Sequence, residues 1–374
     1  MTKRDFQDAV RQLGPLLRER AARFDAEDGF VSENYPDLKQ YKLFSMLVPA
    51  ELGGGGATLA ELCQVVRGLG QHCASTALAF SMHQHLVAAT VLRHKRGQPG
   101  AKLLEKIAES ERILVATGAT DWVNSNGRAK PVEGGYRVSA RKVFCSGSPV
   151  ADLMITSFAA DEEPEGPSVI HCPVPLNAPG VTRLDDWHTL GMRGTGSHTV
   201  ELKDVFVPAE NVAVKRPKNQ WHAVWDVALG IAPPLYMAAY VGLAEAASTV
   251  ALGRAALNSG AVVTQLAVGQ MEVALTTAQL AWQDMVVRAG DCDFTPSPEH
   301  ASAQLVRKTI VTRAVKETVE LAIEVVGGAG YFRNLPLERF WRDVQASHYH
   351  PLPEKRQQLF TGRHRLGQKD FWDV

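Results

Sequence analysis

The loop His348-Tyr349-His350 carries two imidazoles and is followed by prolines at 351 and 353. An imidazole of ordinary pKa titrates near neutrality and suits general acid work; the alternative is a surface loop with two solvated histidines. Glu354 stands where an acid would open the last helix and complement its dipole. Arg254 and Gln265 lie eleven residues apart, at the end of one helical stretch and the start of the next. An arginine there can make a charge-assisted, bidentate contact to a phosphate, or can simply be solvated. Glu324 precedes Gly327-Gly328, where a backbone can approach another surface closely or a helix can be capped. Ser146, in KVFCSG (142–147), sits at what reads as a strand end followed by a turn. His83 and His85 are two apart on a helical stretch and so point to different faces, which disfavours a shared metal. Asp185-Asp186-Trp187 reads as an exposed loop or a substrate contact.

These residues hang on three kinds of chain. Residues 1–112 are helical in pattern, with apolar residues at helical spacing over 6–23 and 57–70. The run Gly53–Gly56 breaks the pattern and Thr58 is the expected N-cap of the next helix. A buried helix is expected over 73–92 and a short one over 101–110. Residues 113–215 change to short alternating or apolar runs separated by NSNG, EGG, SGSP and DEEPEGP, the spacing of a β-barrel or sandwich. From 216 to 374 the pattern is helical again, with long stretches at 230–258, 261–289 and 300–327 and shorter ones at 336–346 and 353–366, which together describe a helical bundle. No 20–50-residue repeat interrupts this order.

Forty basic residues balance forty acidic ones, and 45% of the chain is hydrophobic. This excludes a disordered tail and disfavours nucleic-acid binding through a generally basic surface. The five cysteines, at 63, 73, 145, 172 and 292, include no CxxC pair, against a zinc knuckle or a disulfide framework and for a reducing compartment. No metal site is expected. The charged N-terminus has no apolar core of a secretory signal, and no eighteen-residue apolar run appears. The expected location is the cytoplasm.

Four segments carry a specific resemblance. They are LGGGGATLAELCQVVRGLG (52–70), GYRVSARKVFCSGSPVAD (135–152), LGMRGTGSHTVELKDVFVPAENV (190–212) and VVGGAGYFRNLPLERFWRDV (325–344). In this order, over nearly the whole length, they are similar to the signatures of the acyl-CoA dehydrogenase superfamily. The resemblance implies an N-terminal α-helical domain, a central β-barrel and a C-terminal four-helix bundle. It also implies a flavoprotein with FAD, or FMN as a reduced co-substrate. Phe144 then matches the aromatic shield over one flavin face and Ser146 the hydroxyl near N5, where the family more often has Trp and Thr. Thr117 matches the contact to the flavin pyrimidine. Arg254 and Gln265 match a contact to the flavin pyrophosphate of a neighbouring subunit, and Glu324, Gly327 and Gly328 a segment touching the adenine half across a dimer interface. The family usually has Gln at position 324. The loop after Thr117, TGATDWVNSN, lacks the family's usual acidic and proline positions.

The family's dehydrogenases use a Glu to remove the α-proton of an acyl-CoA thioester. The two usual positions of that base correspond here to Pro351 and about Ala232, and neither can abstract a proton. The flavin monooxygenases related to the family, which react reduced flavin with oxygen, carry a His at the offset of His350 and a hydroxyl at that of Ser146. The residues therefore suggest a reduced-flavin monooxygenase served by a separate flavin reductase. A second reading is an acyl-CoA dehydrogenase with a relocated base, Glu354, passing electrons to an electron-transfer flavoprotein. A third is a flavin- or acyl-CoA-binding scaffold without catalysis. Ala-rich faces on 230–258 and 300–327 imply a homotetramer or homodimer.

Overall fold

A computed structural model describes residues 5–118 and 124–373. Helix α1 (Phe6–Ala26) begins at Asp5, whose carboxylate accepts the Gln7 and Asp8 N–H groups. The short α2 (Asn34–Gln40) escapes a periodicity reading, since it has seven residues, a proline in its first turn and no side-chain cap. Helix α3 (Leu59–His72) starts at Thr58 as expected, with a reciprocal capping box to Glu61. Helix α4 (Ala74–Lys95) is buried on most of its circumference, and α5 (Ala101–Ser110) closes the first helical zone.

Eight strands follow: β1 (Leu114–Ala116), β2 (Arg128–Val132), β3 (Gly135–Lys142), β4 (Leu153–Ala160), β5 (Ser168–Pro175), β6 (Val181–Arg183), β7 (Val200–Pro208) and β8 (Val214–Pro217). They form one sheet in the order β6-β7-β3-β2-β4-β5-β8, with β1 also on β4. The expected β-barrel is therefore corrected: the sheet is open. Closure needs both terminal strands to pair with a matched stagger. Here the terminal strands β6 and β8 have three and four residues and do not pair with each other. The middle is also thin, since β2 meets β4 through a single parallel pair, Arg128 with Ala159.

The long helices are α6 (Ala223–Ala255), α7 (Val262–Ala289) and α8 (Pro298–Val326), followed by α9 (Leu337–Val344) and α10 (Glu354–Arg365). By length and composition α6 could cross a membrane, but 89% of its most apolar window is buried within the protein. Over that window it is a core helix, hydrophobic on every face because it is covered on every face. It crosses α3 with the backbones in contact. A Cβ on Gly242 would lie 2.0 Å from the Arg67 carbonyl oxygen, and one on Gly70 would lie 2.5 Å from that of Ala239. Arg67 also grips Glu245 of α6, with Nε 2.8 and 2.9 Å from its two carboxylate oxygens.

His83 is a structural pin and not a pocket residue. The Leu114 N–H donates to its Nδ1 at 3.0 Å, so the ring proton sits on Nε2 and donates to the Phe44 carbonyl at 2.9 Å. Burial lowers the pKa values of both His83 and His85 to about 4. The unfolded chain therefore takes up protons between pH 6.5 and 4 that the folded chain refuses. Stability is full above pH 6.5 and falls as the pH drops through that window. Each ring is expected to cost about 2 kcal/mol by pH 5. Thermal unfolding at pH 7.5 and pH 5 checks this, and a melting temperature unchanged between them would contradict it.

Candidate functional site

After β3 the chain turns through Phe144, held at φ +59°. The Cys145 N–H donates to the His198 carbonyl and the Gly147 N–H to that of Thr195. This stitches the turn to the segment before β7 and fixes a row of hydroxyls. Ser146 Oγ lies 2.8 Å from Ser197 Oγ, and Ser197 Oγ lies 2.7 Å from Thr195 Oγ1. Thr195 in turn donates to the Met192 carbonyl at 2.9 Å. With that last proton committed, Thr195 accepts from Ser197 and Ser197 accepts from Ser146. Ser146 then presents lone pairs to anything bound beside it.

Phe144 leaves 56% of its surface exposed, an unusual state for a phenyl ring at a rigid turn. One edge meets Trp187 in a T-shaped contact at 5.9 Å. Trp187 is anchored by its indole N–H to the Met192 carbonyl at 3.2 Å, so Asp185–Trp187 belongs to this site. Gly118 donates its N–H to the Val143 carbonyl, which brings the exit of β1 alongside. Thr117 lies there, buried, with its hydroxyl 3.4 Å from that of Thr156. A flat, open aromatic beside a hydroxyl acceptor suits a planar heteroaromatic ligand, so the residues present fit a flavin ring. Most of the divergent loop after Thr117, residues 119–123, lies outside the described residues.

His350 belongs to the bundle side. Its ring stacks on Tyr236 of α6 at 4.6 Å, and its Nε2 is 2.6 Å from the Tyr240 hydroxyl. Tyr236 donates to the Pro351 carbonyl at 3.0 Å, and Lys308 of α8 donates to that of Leu352 at 3.2 Å. Burial, with the Lys308 charge nearby, lowers the His350 pKa to about 3. The expectation of an imidazole titrating near neutrality is thus corrected: the ring is neutral at physiological pH. Lys308 is itself almost fully buried, and burial brings its pKa down to about 8. His348 faces away, with Nε2 2.6 Å from Lys316 Nζ. Glu354 opens α10 in a two-pronged ion pair with Arg313, at 2.5 and 3.2 Å, which holds its carboxyl below the usual range.

The two halves meet at one joint. Asp343 of α9 accepts the Met192 N–H at 2.5 Å, and its charge, after burial, raises the Tyr240 pKa. Arg342 clamps the same loop from outside, bound to Asp25 of α1 at 2.6 and 2.9 Å and to the Leu190 carbonyl at 3.2 Å. Ser146 and His350 thus belong to neighbouring networks, with no direct contact between them. Arg254, Gln265, Glu324, Gly327 and Gly328 form a separate, exposed set at one end of the bundle. Fourteen residues of α6 separate Arg254 from Tyr240, about 21 Å of helix. The sequence reading did not single out Tyr236, Tyr240, Lys308, Asp343 or Ser197. A signal was present for the tyrosines, two phenols at i and i+4 in a run of α6 (229–244) that has no charged residue.

Residues 2–111 match the acyl-CoA dehydrogenase N-terminal domain, 117–205 the middle domain and 222–353 the C-terminal domain. L-Evernosamine nitrososynthase of Micromonospora sp. is 28% identical over 368 residues, covering 92% of this chain and 85% of the relative. Dibenzothiophene monooxygenase of Rhodococcus erythropolis is 26% identical, covering 96% and 92%. Among solved structures, KijD3 in complex with FMN and an amino-keto sugar nucleotide superposes with a TM-score of 0.87 at 23% identity, covering 99% of this chain and 97% of that one. The expectation of FAD is overturned here, because the flavin in that complex is FMN, which has no adenine half to reach a partner subunit.

Proposed function

The chain belongs to the acyl-CoA dehydrogenase superfamily, and we propose that it is a monooxygenase of that superfamily which uses reduced FMN and dioxygen to oxidise a small molecule. The observation that carries this reading is the residue found where a dehydrogenase needs a carboxylate. Ala232 and Pro351 bear no base, and a neutral His350 occupies the loop. Glu354 does not rescue the dehydrogenase reading, since Arg313 holds it. The nitrososynthase and monooxygenase relatives support the same direction.

Phe144 and Thr117 would hold the flavin ring, with Ser146 beside its N5 edge. Reduced flavin activates dioxygen, and its N5 carries a hydrogen that the oxidised form lacks. Ser146, presenting lone pairs, suits that N–H. His350 would orient a ligand oxygen from the opposite side by hydrogen bonding, while Phe144 and Trp187 exclude water. Arg254 and Gln265 would serve the flavin phosphate of a neighbouring subunit, whereas the adenine contact expected of Glu324, Gly327 and Gly328 has no counterpart in FMN. A separate flavin reductase would supply the reduced flavin, in the cytoplasm.

Stopped-flow mixing of protein and reduced FMN with oxygen tests the reading. We expect a long-lived flavin absorbance distinct from oxidised and reduced FMN, and little bleaching of oxidised flavin by acyl-CoA thioesters. Rapid bleaching by an acyl-CoA would instead establish a dehydrogenase.

The same reading calls for a homotetramer or homodimer. Leu266, Val273, Leu280 and Val287 of α7 are 62–75% exposed and recur every seven residues, an apolar stripe that a second copy would cover. Sedimentation at micromolar concentration should show no monomer; a monomer would contradict it.

A further inference from the structure

We infer that Tyr240 donates its hydroxyl proton to His350 Nε2, and thereby locks the imidazole as the tautomer protonated on Nδ1, with that N–H as the donor offered to the pocket. The contact itself, 2.6 Å, is compatible with either direction. Burial decides between them. Tyr240 is fully buried, and among the described residues its hydroxyl has no partner other than His350. If the ring donated from Nε2, the phenol proton would be left without an acceptor inside the protein. An unmade hydrogen bond of that kind is costly to a buried donor. If the phenol donates, both groups are satisfied and the ring proton must reside on Nδ1. Among the described residues Nδ1 has no protein partner, and the His350 residue keeps part of its surface accessible. The ring therefore ends in one open donor.

The surroundings hold that donor in one orientation. Tyr236 stacks beneath the ring within 21° of parallel, and its own hydroxyl is tied to the Pro351 carbonyl. The charged and titratable groups facing His350 are Tyr236 and Tyr240 from α6 and Lys308 from α8. Asp343 stands behind Tyr240, and Glu354 is occupied by Arg313. None supplies a carboxylate to stabilise an imidazolium, and the Lys308 charge opposes one. Tyr240 cannot readily surrender its proton either, with Asp343 raising its pKa beyond the effect of burial. His350 is thus a fixed neutral donor that transfers no proton, and Tyr240 is its positioning residue. The tautomer stands on this geometry alone; its use toward a ligand bound in the pocket rests on the monooxygenase reading.

The test is nitrogen NMR of the full-length protein labelled with 15N-histidine and free of flavin, with His350→Gln identifying the His350 signals. We expect Nδ1 in the protonated range and Nε2 in the unprotonated range, neither titrating between pH 5.5 and 8.5. In Tyr240→Phe we expect the two shifts to move toward an average of the tautomers, with turnover on reduced FMN falling about tenfold. A protonated Nε2 in the unaltered protein, or shifts unmoved in Tyr240→Phe, would overturn the lock. Because the spectra need neither cofactor nor substrate, failure of the monooxygenase reading would leave them intact. A correct tautomer with no oxygenase activity would sink only that reading.

Discussion

Replacing His350 with Phe is expected to lower turnover on reduced FMN and oxygen by about 100-fold, the scale of losing one preorganised donor at a developing charge. A phenyl ring can keep the stack on Tyr236, so FMN binding should change little. The variant should nonetheless lose about 1–3 kcal/mol of stability, because the Tyr240 hydroxyl is left buried without its acceptor. That cost gives the prediction a second arm. In His350→Phe/Tyr240→Phe both partners are apolar, so stability should return while turnover stays low. Oxygen uptake and the melting temperature of the two variants, beside the unaltered protein, measure both arms. Turnover within a few-fold of the unaltered protein would remove His350 from the chemistry. Stability that fails to return in the double variant would mean that the single change acts through something other than the orphaned phenol.

Gly242→Val is expected to abolish the native fold or cost more than about 3 kcal/mol. The added Cβ would stand 2.0 Å from the Arg67 carbonyl oxygen and 3.0 Å from the Gln71 nitrogen, both backbone atoms of α3. A side chain could rotate away, but a helix backbone can move only as a unit. Separating α3 from α6 would also pull Arg67 from Glu245, which is 10% exposed at its side chain and shared with Gln71 and Gln279. A partly buried carboxylate stripped of its cation is strongly destabilising. Gly253→Ala in the same helix is the control, since a Cβ there meets nothing within 4 Å. It should hold or raise stability through helix propensity alone. Soluble yield and thermal unfolding distinguish the two, and a well-folded Gly242→Val would show that α3 and α6 pack more loosely than the crossing implies.

Apart from the short, uncapped α2, the helices were legible in the sequence because their causes are local. Thr58 with Glu61 caps α3, and apolar residues at helical spacing mark α1 and the long bundle helices wherever each is written. The same holds for the motif around Phe144 and Ser146 and for the missing carboxylates at Ala232 and Pro351, which are matters of residue identity alone. Sheet closure was not legible. Whether β6 and β8 pair depends on stagger and strand ends that no single run of residues encodes, and these ends stay apart. The protonation state of His350 was also beyond the sequence. An imidazole in a proline-flanked loop reads as a titrating acid, yet here α6 and α8 enclose it with two phenols and a lysine brought from 110, 114 and 42 residues away in the chain. Desolvation and the direction of a hydrogen bond are properties of what surrounds a group, so only the tertiary structure could decide them.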